Sequence, residues 1–413
     1  MAKADPLNLW ARVFLPFAAG YFLSYLLRTV NAVIAPGLAR ELSLSAADLG
    51  LLTSAYLLAF AAFQIPLGLL LDRYGPRKVE ASLLLLAAAG TLLFAFGTSL
   101  AQLTVARSLI GLGVSSCLMA AFKGFAQNFP PERQASLTGA IMASGGLGAV
   151  SASLPLEMAL PLIGWRGVFQ GLTFLLVLVA AWLFFSVPQR DVGVARESLA
   201  AQLKEVAGIL AHRTFWRYAP PMTLVTGGFM AVQGLWAVPW LMNVNGLSRH
   251  QAAEVLFALN LAMLVSHLGI AAFATRLARA GIRPAALLVG GYGLALAVQA
   301  AMVAGLEPAA LLWFVYGLGV SGGSLSYAQL SGHFAPSLSG RVTTTLNLLL
   351  FIGAFVLQWG LGVLIDGLIL SGFTETVAYR STFAAMLVVQ VAAYAWFLLE
   401  GRPSPHPPSR GRG

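Results

Sequence analysis

The chain has a single cysteine, Cys117, so no intrachain disulfide braces it and the redox state of its compartment is left open. Charge is scarce. Asp, Glu, Lys and Arg make up 10% of the residues, against 58% hydrophobic ones, which excludes an ordinary soluble domain and a disordered chain alike. Acids are scarcer than bases, 15 against 25. No His/Cys/Asp cluster has metal-ligand spacing and no catalytic groups are paired, so neither a metal, a cofactor nor an enzyme is expected. Gly317-Leu318-Gly319-Val320-Ser321-Gly322 matches a dinucleotide fingerprint by letters. It lies inside an apolar run with no strand before it, which excludes that function.

Long apolar runs are what the chain has in abundance. Twelve occur, near residues 12–38, 47–71, 77–98, 101–127, 135–158, 166–187, 219–243, 251–275, 284–304, 308–333, 341–366 and 377–399, called spans 1 to 12 below. Each approaches the ~20 residues that carry a helix across a bilayer. Backbone polar groups must be satisfied in lipid, and these runs are too long and too little alternating for barrel strands. The reading is therefore an all-α membrane protein. Span 1 follows Lys3 and Arg12 without a small-residue cleavage site, so an uncleaved helix is expected.

With both termini in the cytoplasm, eighteen of the 25 Lys and Arg fall on the cytoplasmic side. Only Arg40, Arg166, Arg249 and Arg380 fall outside, and three lie within spans. That asymmetry orients the chain and removes the nucleic-acid reading of its +10 net charge. Pro188 to Arg217 is the longest polar interruption. It divides the chain into a six-helix half at 1–187, a cytoplasmic linker at 188–218, a second half at 219–400 and a disordered tail at 401–413.

The two halves echo each other. Gly75-Pro76-Arg77 returns as Gly281-Ile282-Arg283, Arg133 as Arg341, and Trp165-Arg166-x-x-Phe169 as Tyr379-Arg380-x-x-Phe383. The spacings between copies grow slowly, as small loop insertions would produce.

Between spans 2 and 3 runs Gly68-Leu69-Leu70-Leu71-Asp72-Arg73-Tyr74-Gly75-Pro76-Arg77-Lys78. This G-x-L-x-D-R-x-G-x-R-K loop resembles the signature loop of the major facilitator superfamily, and the resemblance extends over nearly the whole chain. It implies two pseudo-symmetric six-helix bundles around a central substrate path near the membrane midplane. It also implies that Asp72, with Arg73, Arg77 and Lys78 around it, is a conformational latch. The N-terminal end of span 11, Ser339-Gly340-Arg341-Val342, would be its partner when the cytoplasmic side is shut.

The candidate site residues are the charges inside the spans. Arg28 lies in span 1, Arg107 and Lys123 in span 4, and no Asp or Glu is expected near the middle of any span: Asp72, Glu80, Glu157 and Asp366 read as end residues. Arg28 is the expected anchor, because its guanidinium fork can hold a carboxylate, sulfonate or phosphate. Arg107, in a second superfamily-like stretch, reads either as a substrate contact or as a structural or coupling residue. Lys123 reads as part of the path or as a snorkelling side chain. Tyr25 and Asn31 in span 1, Tyr56 in span 2, Gln233 and Trp236 in span 7, Asn260 in span 8, Gln329 in span 10, and Asn347 and Gln358 in span 11 would complete the cavity or bond helix to helix. Tyr21 and Tyr327 are further candidates. His267 in span 8 is a candidate proton carrier, with packing as the alternative.

Arg28-x-x-Asn31 with Gln64-Ile65-Pro66-Leu67-Gly68 looks most like the organic-anion branches of that superfamily. Span 7 has no arginine, unlike the phosphate-ester exchangers, and Gly145-Gly146-Leu147-Gly148 lacks the proline of drug/proton antiporters. The expectation is a monomeric inner-membrane symporter that takes up a small organic anion with protons or sodium. Drug or metabolite efflux and ligand sensing are the alternatives.

Overall fold

The computed structural model describes residues 9–130, 133–189, 199–279, 281, 284–335 and 338–399. The tail at 401–413 and most of the early linker lie outside them. Among the described residues every regular element is helical, and eleven helices are long and apolar enough to cross a membrane. A twelfth, Gln134–Ser151, stands in the place of span 5.

Span 1 covers Trp10–Leu42 and span 4 Leu100–Asn128; spans 7 and 8 begin at Arg213 and Arg249. Span 11 is Ser339–Leu370 and span 12 Glu375–Leu399. Spans 2 and 3 form one helical run, Ala46–Phe96, broken only at Gly75, whose φ of 79° and ψ of 161° are open to glycine but strained for an L side chain. Pro76 then starts span 3 with a φ already suited to a first helical turn. Gly281 has a φ of 80°, so the sequence echo at that turn is also an echo of backbone geometry. Span 5 is longer than expected. After a break at Ala152-Ser153 it resumes at Leu154 and runs to a second glycine pivot, Gly164 (φ 65°), from which span 6 continues to Ser186.

The halves repeat a packing device as well. In span 4, a Cβ on Gly111 would strike the backbone of Tyr56 in span 2, and one on Gly113 the backbone of Leu83 and Ala87 in span 3. In span 10, Gly317 meets the backbone of Leu259 in span 8, and Gly319 that of Gly291 and Ala295 in span 9. The apparent dinucleotide string is thus a close-approach stripe, where bare backbone lets helices come within dispersion range.

Three helices are interrupted, two of them beside helix-weakening residues, Gly322-Gly323 in span 10 and Pro220-Pro221 in span 7. Span 4 breaks at Ser115-Ser116, span 10 tightens into a 3₁₀ turn at Ser321–Ser324, and span 7 widens into π turns at Met222–Thr226 and Val232–Trp236. Such irregular turns collect at functional sites. The linker helix Leu199–Leu210 packs on span 11, where Glu205 forms an ion pair with Arg341.

Candidate functional site

The halves meet where span 1 crosses span 7, span 2 lies along span 11, and span 5 lies along span 8. Near the middle of the span 2–span 11 seam, Phe60 stacks on Phe351 at 4.1 Å between centroids. Arg28 sits against that stack. Its guanidinium carbon is 4.5 Å from the Tyr25 ring centroid, 5.5 Å from Phe60 and 5.1 Å from Phe351. Two rings belong to one half and the third to the other, so the cage closes only when the halves are together.

Burying a cation at this depth costs about 2.5–3.5 kcal/mol on insertion scales. Three ring faces return about 0.5–2 kcal/mol each, which covers the charge without filling its hydrogen-bonding capacity. Nε of Arg28 is buried with no hydrogen-bond partner, and among the described residues no carboxylate is paired with this arginine. The expected anchor is therefore a positive fork without a counter-anion at the seam.

The other cations of the spans have partners. Arg107 is fully buried, donates to the Leu27 carbonyl at 2.8 Å and lies over the Tyr56 ring at 4.8 Å, while its Nε and second Nη have no hydrogen-bond partner. It ties span 4 to spans 1 and 2, one residue away from Arg28 along span 1. Lys123 pairs with Asp72 and also donates to the Leu71 carbonyl at 2.9 Å. Asp72 here faces span 4, not the start of span 11, whose Arg341 is engaged by the linker.

Arg73 lies over Tyr74, Arg77 donates to the Val187 carbonyl at 3.2 Å, and Lys78 is exposed. The Asp72–Lys123 pair is more than half open on the Asp72 side, so its stabilising contribution is small, at most about 1 kcal/mol. Asp72→Asn should therefore unfold within about 1 kcal/mol of the parent, while turnover falls if the acid acts in the cycle. Parental turnover would make Asp72 a solvated loop charge.

The polar candidates divide into bonded pairs and open groups. Asn31 donates to Thr53 at 3.0 Å, the Tyr56 hydroxyl to the Ser24 carbonyl at 3.3 Å, and the Tyr327 hydroxyl to Asn347 at 2.7 Å. Gln233 donates to Asn260 at 2.7 Å, and Asn260 in turn donates to the Ala149 carbonyl of the other half at 3.0 Å. Trp236 donates to the Gln358 carbonyl at 2.9 Å. Both amide atoms of Gln358 are buried without a partner, an open donor and acceptor beside Gly234. Tyr21 lies edge-on to Tyr25, and Gln329 is half-buried. His267 shares its Nδ1 with the Met263 carbonyl of its own helix at 2.8 Å, which is packing geometry.

Beside the cage, toward the end that carries the chain termini, lies a cavity of about 220 Å³. Gln64, Gly68, Asp72, Met119, Lys123 and Thr344 are among its walls. Gln64 is one helical turn beyond Phe60, about 6 Å along the axis, so the cavity is a vestibule to the cage.

The opposite end is shut. Asp366 of span 11 accepts hydrogen bonds from the backbone N–H groups of Ala46 (3.0 Å) and Ala47 (2.7 Å), in the first turn of span 2. Glu157 of span 5 holds Arg249 at 3.4 Å and His250 at 2.7 Å, both at the start of span 8. At two points of the seam here helices meet backbone to backbone: Gly50 meets the backbone of Gln358 and Trp359, and Gly362 that of Ala46 and Ala47.

Several of these residues were not legible as functional. Phe60 and Phe351 sit in apolar runs, where an aromatic is core by default. Asp366 offered a signal, an acid at a span end able to cap another helix, but not the identity of that helix. Glu80, read as an end residue, stands five residues after the Gly75 pivot and is nonetheless fully buried.

The sequence model described as Major Facilitator Superfamily matches residues 17–358. A stretch of 149 residues is 30% identical to the probable sulfoacetate transporter SauU of Cupriavidus necator, covering 36% of this chain and 35% of that protein. A stretch of 242 residues is 26% identical to the hexuronate transporter of Bacillus subtilis, covering 56% of each. The matched stretches thus span about a third to just over half of these relatives. A bacterial homologue of the human lysosomal transporter Spinster, in an inward-facing and occupied conformation, superposes with a TM-score of 0.75 at 19% identity over 98% of this chain and all of that one. The chain carries many membrane-spanning helices and belongs to the Major Facilitator Superfamily.

Proposed function

We propose that this protein takes up a small organic anion by alternating access across a bacterial inner membrane, in symport with protons, with both termini in the cytoplasm. One observation carries the reading: Arg28 stands at the seam of the halves with its Nε buried and unpartnered and, among the described residues, no carboxylate paired with it. A carboxylate or sulfonate supplies the missing charge and both acceptors at once. The sulfoacetate and hexuronate relatives support an anionic cargo.

The halves latched at the Asp366 end, with a vestibule toward the termini, give the inward-facing arm of the cycle. Gln358, open on both amide atoms, is placed to read the polar end of the cargo. The flat walls of Tyr25, Phe60 and Phe351 suit a planar or short apolar body.

The test is a thermal-shift screen of the purified protein against sulfoacetate, glucuronate, benzoate, glycerol phosphate and a quaternary-ammonium dye, followed by uptake into proteoliposomes under an outside-acid gradient. At least one carboxylate or sulfonate should raise the melting temperature and be accumulated. Stabilisation and transport of the dye alone would overturn the reading in favour of drug efflux.

A further inference from the structure

Glu80 is the fifth residue after the Gly75 pivot, a position expected to reach the surface. Instead its side chain is fully buried in the N-terminal half. Both carboxyl oxygens are buried without a hydrogen-bond partner, and among the described residues no lysine or arginine is within ion-pair distance. Span 1 presents Gly20, where an added Cβ would strike Oε1 of Glu80. Span 4 presents the Cys117 thiol, a weak donor beside the carboxyl and its one titratable neighbour among the described residues.

The charged groups on those helices are distant or engaged. Arg28 is eight residues along span 1, about 12 Å, and Lys123 is paired with Asp72. An ionised carboxylate in this pocket has at most the weak Cys117 thiol to answer it among the described residues, and such a charge is among the costliest things a membrane helix can bury. A carboxylic acid in the same place is neutral.

We infer that Glu80 is the proton-binding site of the transport cycle. The inference rests on the proton-symport reading above and assigns the coupling proton to a group outside the cargo cage. The chemistry is one O–H bond made and one broken. The carboxyl takes a proton on the acidic side, holds it while the halves exchange, and releases it to the other side. Transport of one proton with one monoanion is then electroneutral.

The surroundings give the carboxyl a mechanical neighbour. Cys117 is the first residue after the break in span 4. That break is held by Ser24 of span 1, whose hydroxyl donates to the Val114 carbonyl at 3.5 Å, and by Gln64 of span 2, which donates to the Ser115 carbonyl at 3.4 Å. Ser24 is one turn from Arg28 on the same face. Charge appearing on Glu80 would call for water or a donor at the one place where three cargo-path helices share an irregular turn. Gly20 is the residue that leaves room for the carboxyl.

The experiment uses full-length protein in proteoliposomes with pyranine trapped inside, and sulfoacetate, glucuronate and benzoate as probes. In the parent, entry of the transported probe should acidify the lumen. Glu80→Gln keeps the shape and removes the exchangeable proton. Exchange of labelled for unlabelled probe should stay within about twofold of the parent. Accumulation driven by the pH gradient, and luminal acidification, should fall at least tenfold.

Glu80→Gln that still accumulates and acidifies like the parent overturns the assignment and leaves the symport reading standing. A parent that transports a probe without moving protons overturns both. Should Glu80→Gln fail to fold, Glu80→Asp keeps an acid but moves it by one methylene. It should acidify the lumen with a displaced pH profile of exchange, and a profile identical to the parent's counts against Glu80.

Discussion

Arg28→Ala should lower probe affinity and uptake about 100- to 1000-fold without lowering the melting temperature. Truncating one partner of a buried, hydrogen-bonded charge pair costs about 3–5 kcal/mol, and each 1.4 kcal/mol is tenfold. The thermal arm separates binding from structure. The guanidinium is held by three ring faces that roughly offset the cost of its burial, so removing it should leave the melting temperature near the parent's. A structural arginine such as Arg107, fully buried on the Leu27 carbonyl, should behave in the opposite way, with Arg107→Ala losing stability. Arg28→Lys keeps the charge and loses the fork, so about a ten- to hundredfold loss is expected. Uptake in Arg28→Ala at the parental rate would remove this residue from the cargo site.

Asp366→Ala is the second large effect, and it acts on populations. Two charge-assisted hydrogen bonds join Asp366 to the start of span 2 at 3.0 and 2.7 Å. Each is worth about 1.5–3 kcal/mol, and the helix dipole adds about 0.3–1 kcal/mol. Losing them costs the latched state about 3 kcal/mol or more after water satisfies the freed N–H groups, a shift of at least about a hundredfold. Spin labels at Leu44→Cys and Ser371→Cys, in a Cys117→Ser background, flank the latch from opposite halves. Electron–electron distance measurements should show a longer-distance population in Asp366→Ala that the parent lacks. Superimposable distributions would mean the Glu157 contacts and the close-packed seam suffice alone.

The twelve spans were legible because bilayer thickness imposes itself on sequence as run length, and the half-to-half echo because equivalent turns demand equivalent residues. Gly75 and Gly281 share a φ near 80° for that reason. Not every interruption inside a helix was legible: Ser115-Ser116 and the π turns around Gln233 contain no residue that forbids a helix. Arg28 was found because charge in an apolar run is rare, whereas its ring partners were hidden by being ordinary. The burial of Glu80 was missed because depth was counted from a span end, while burial depends on what packs over that end. Asp72 and the start of span 11 were expected to meet when the cytoplasmic side is shut. With the other end shut, Asp72 pairs with Lys123 and Arg341 with Glu205 of the linker. A single sequence held no sign of either pair.

The glycine contacts at the latched end have a mechanical meaning. Gly50 and Gly362 bring backbone against backbone, so at these two points no side chain has to be lifted out of a socket. Peptide groups on both faces are already bonded within their own helices, so parting them strands no donor or acceptor. At those points the seam is smooth, and two electrostatic clasps, Asp366 on span 2 and Glu157 on Arg249 and His250, hold it beside them. A joint of this kind is tuned by ions more than by shape. Its opening rate should rise with salt, as the ~8 Å Debye length of physiological solution shortens, while the friction of sliding stays the same.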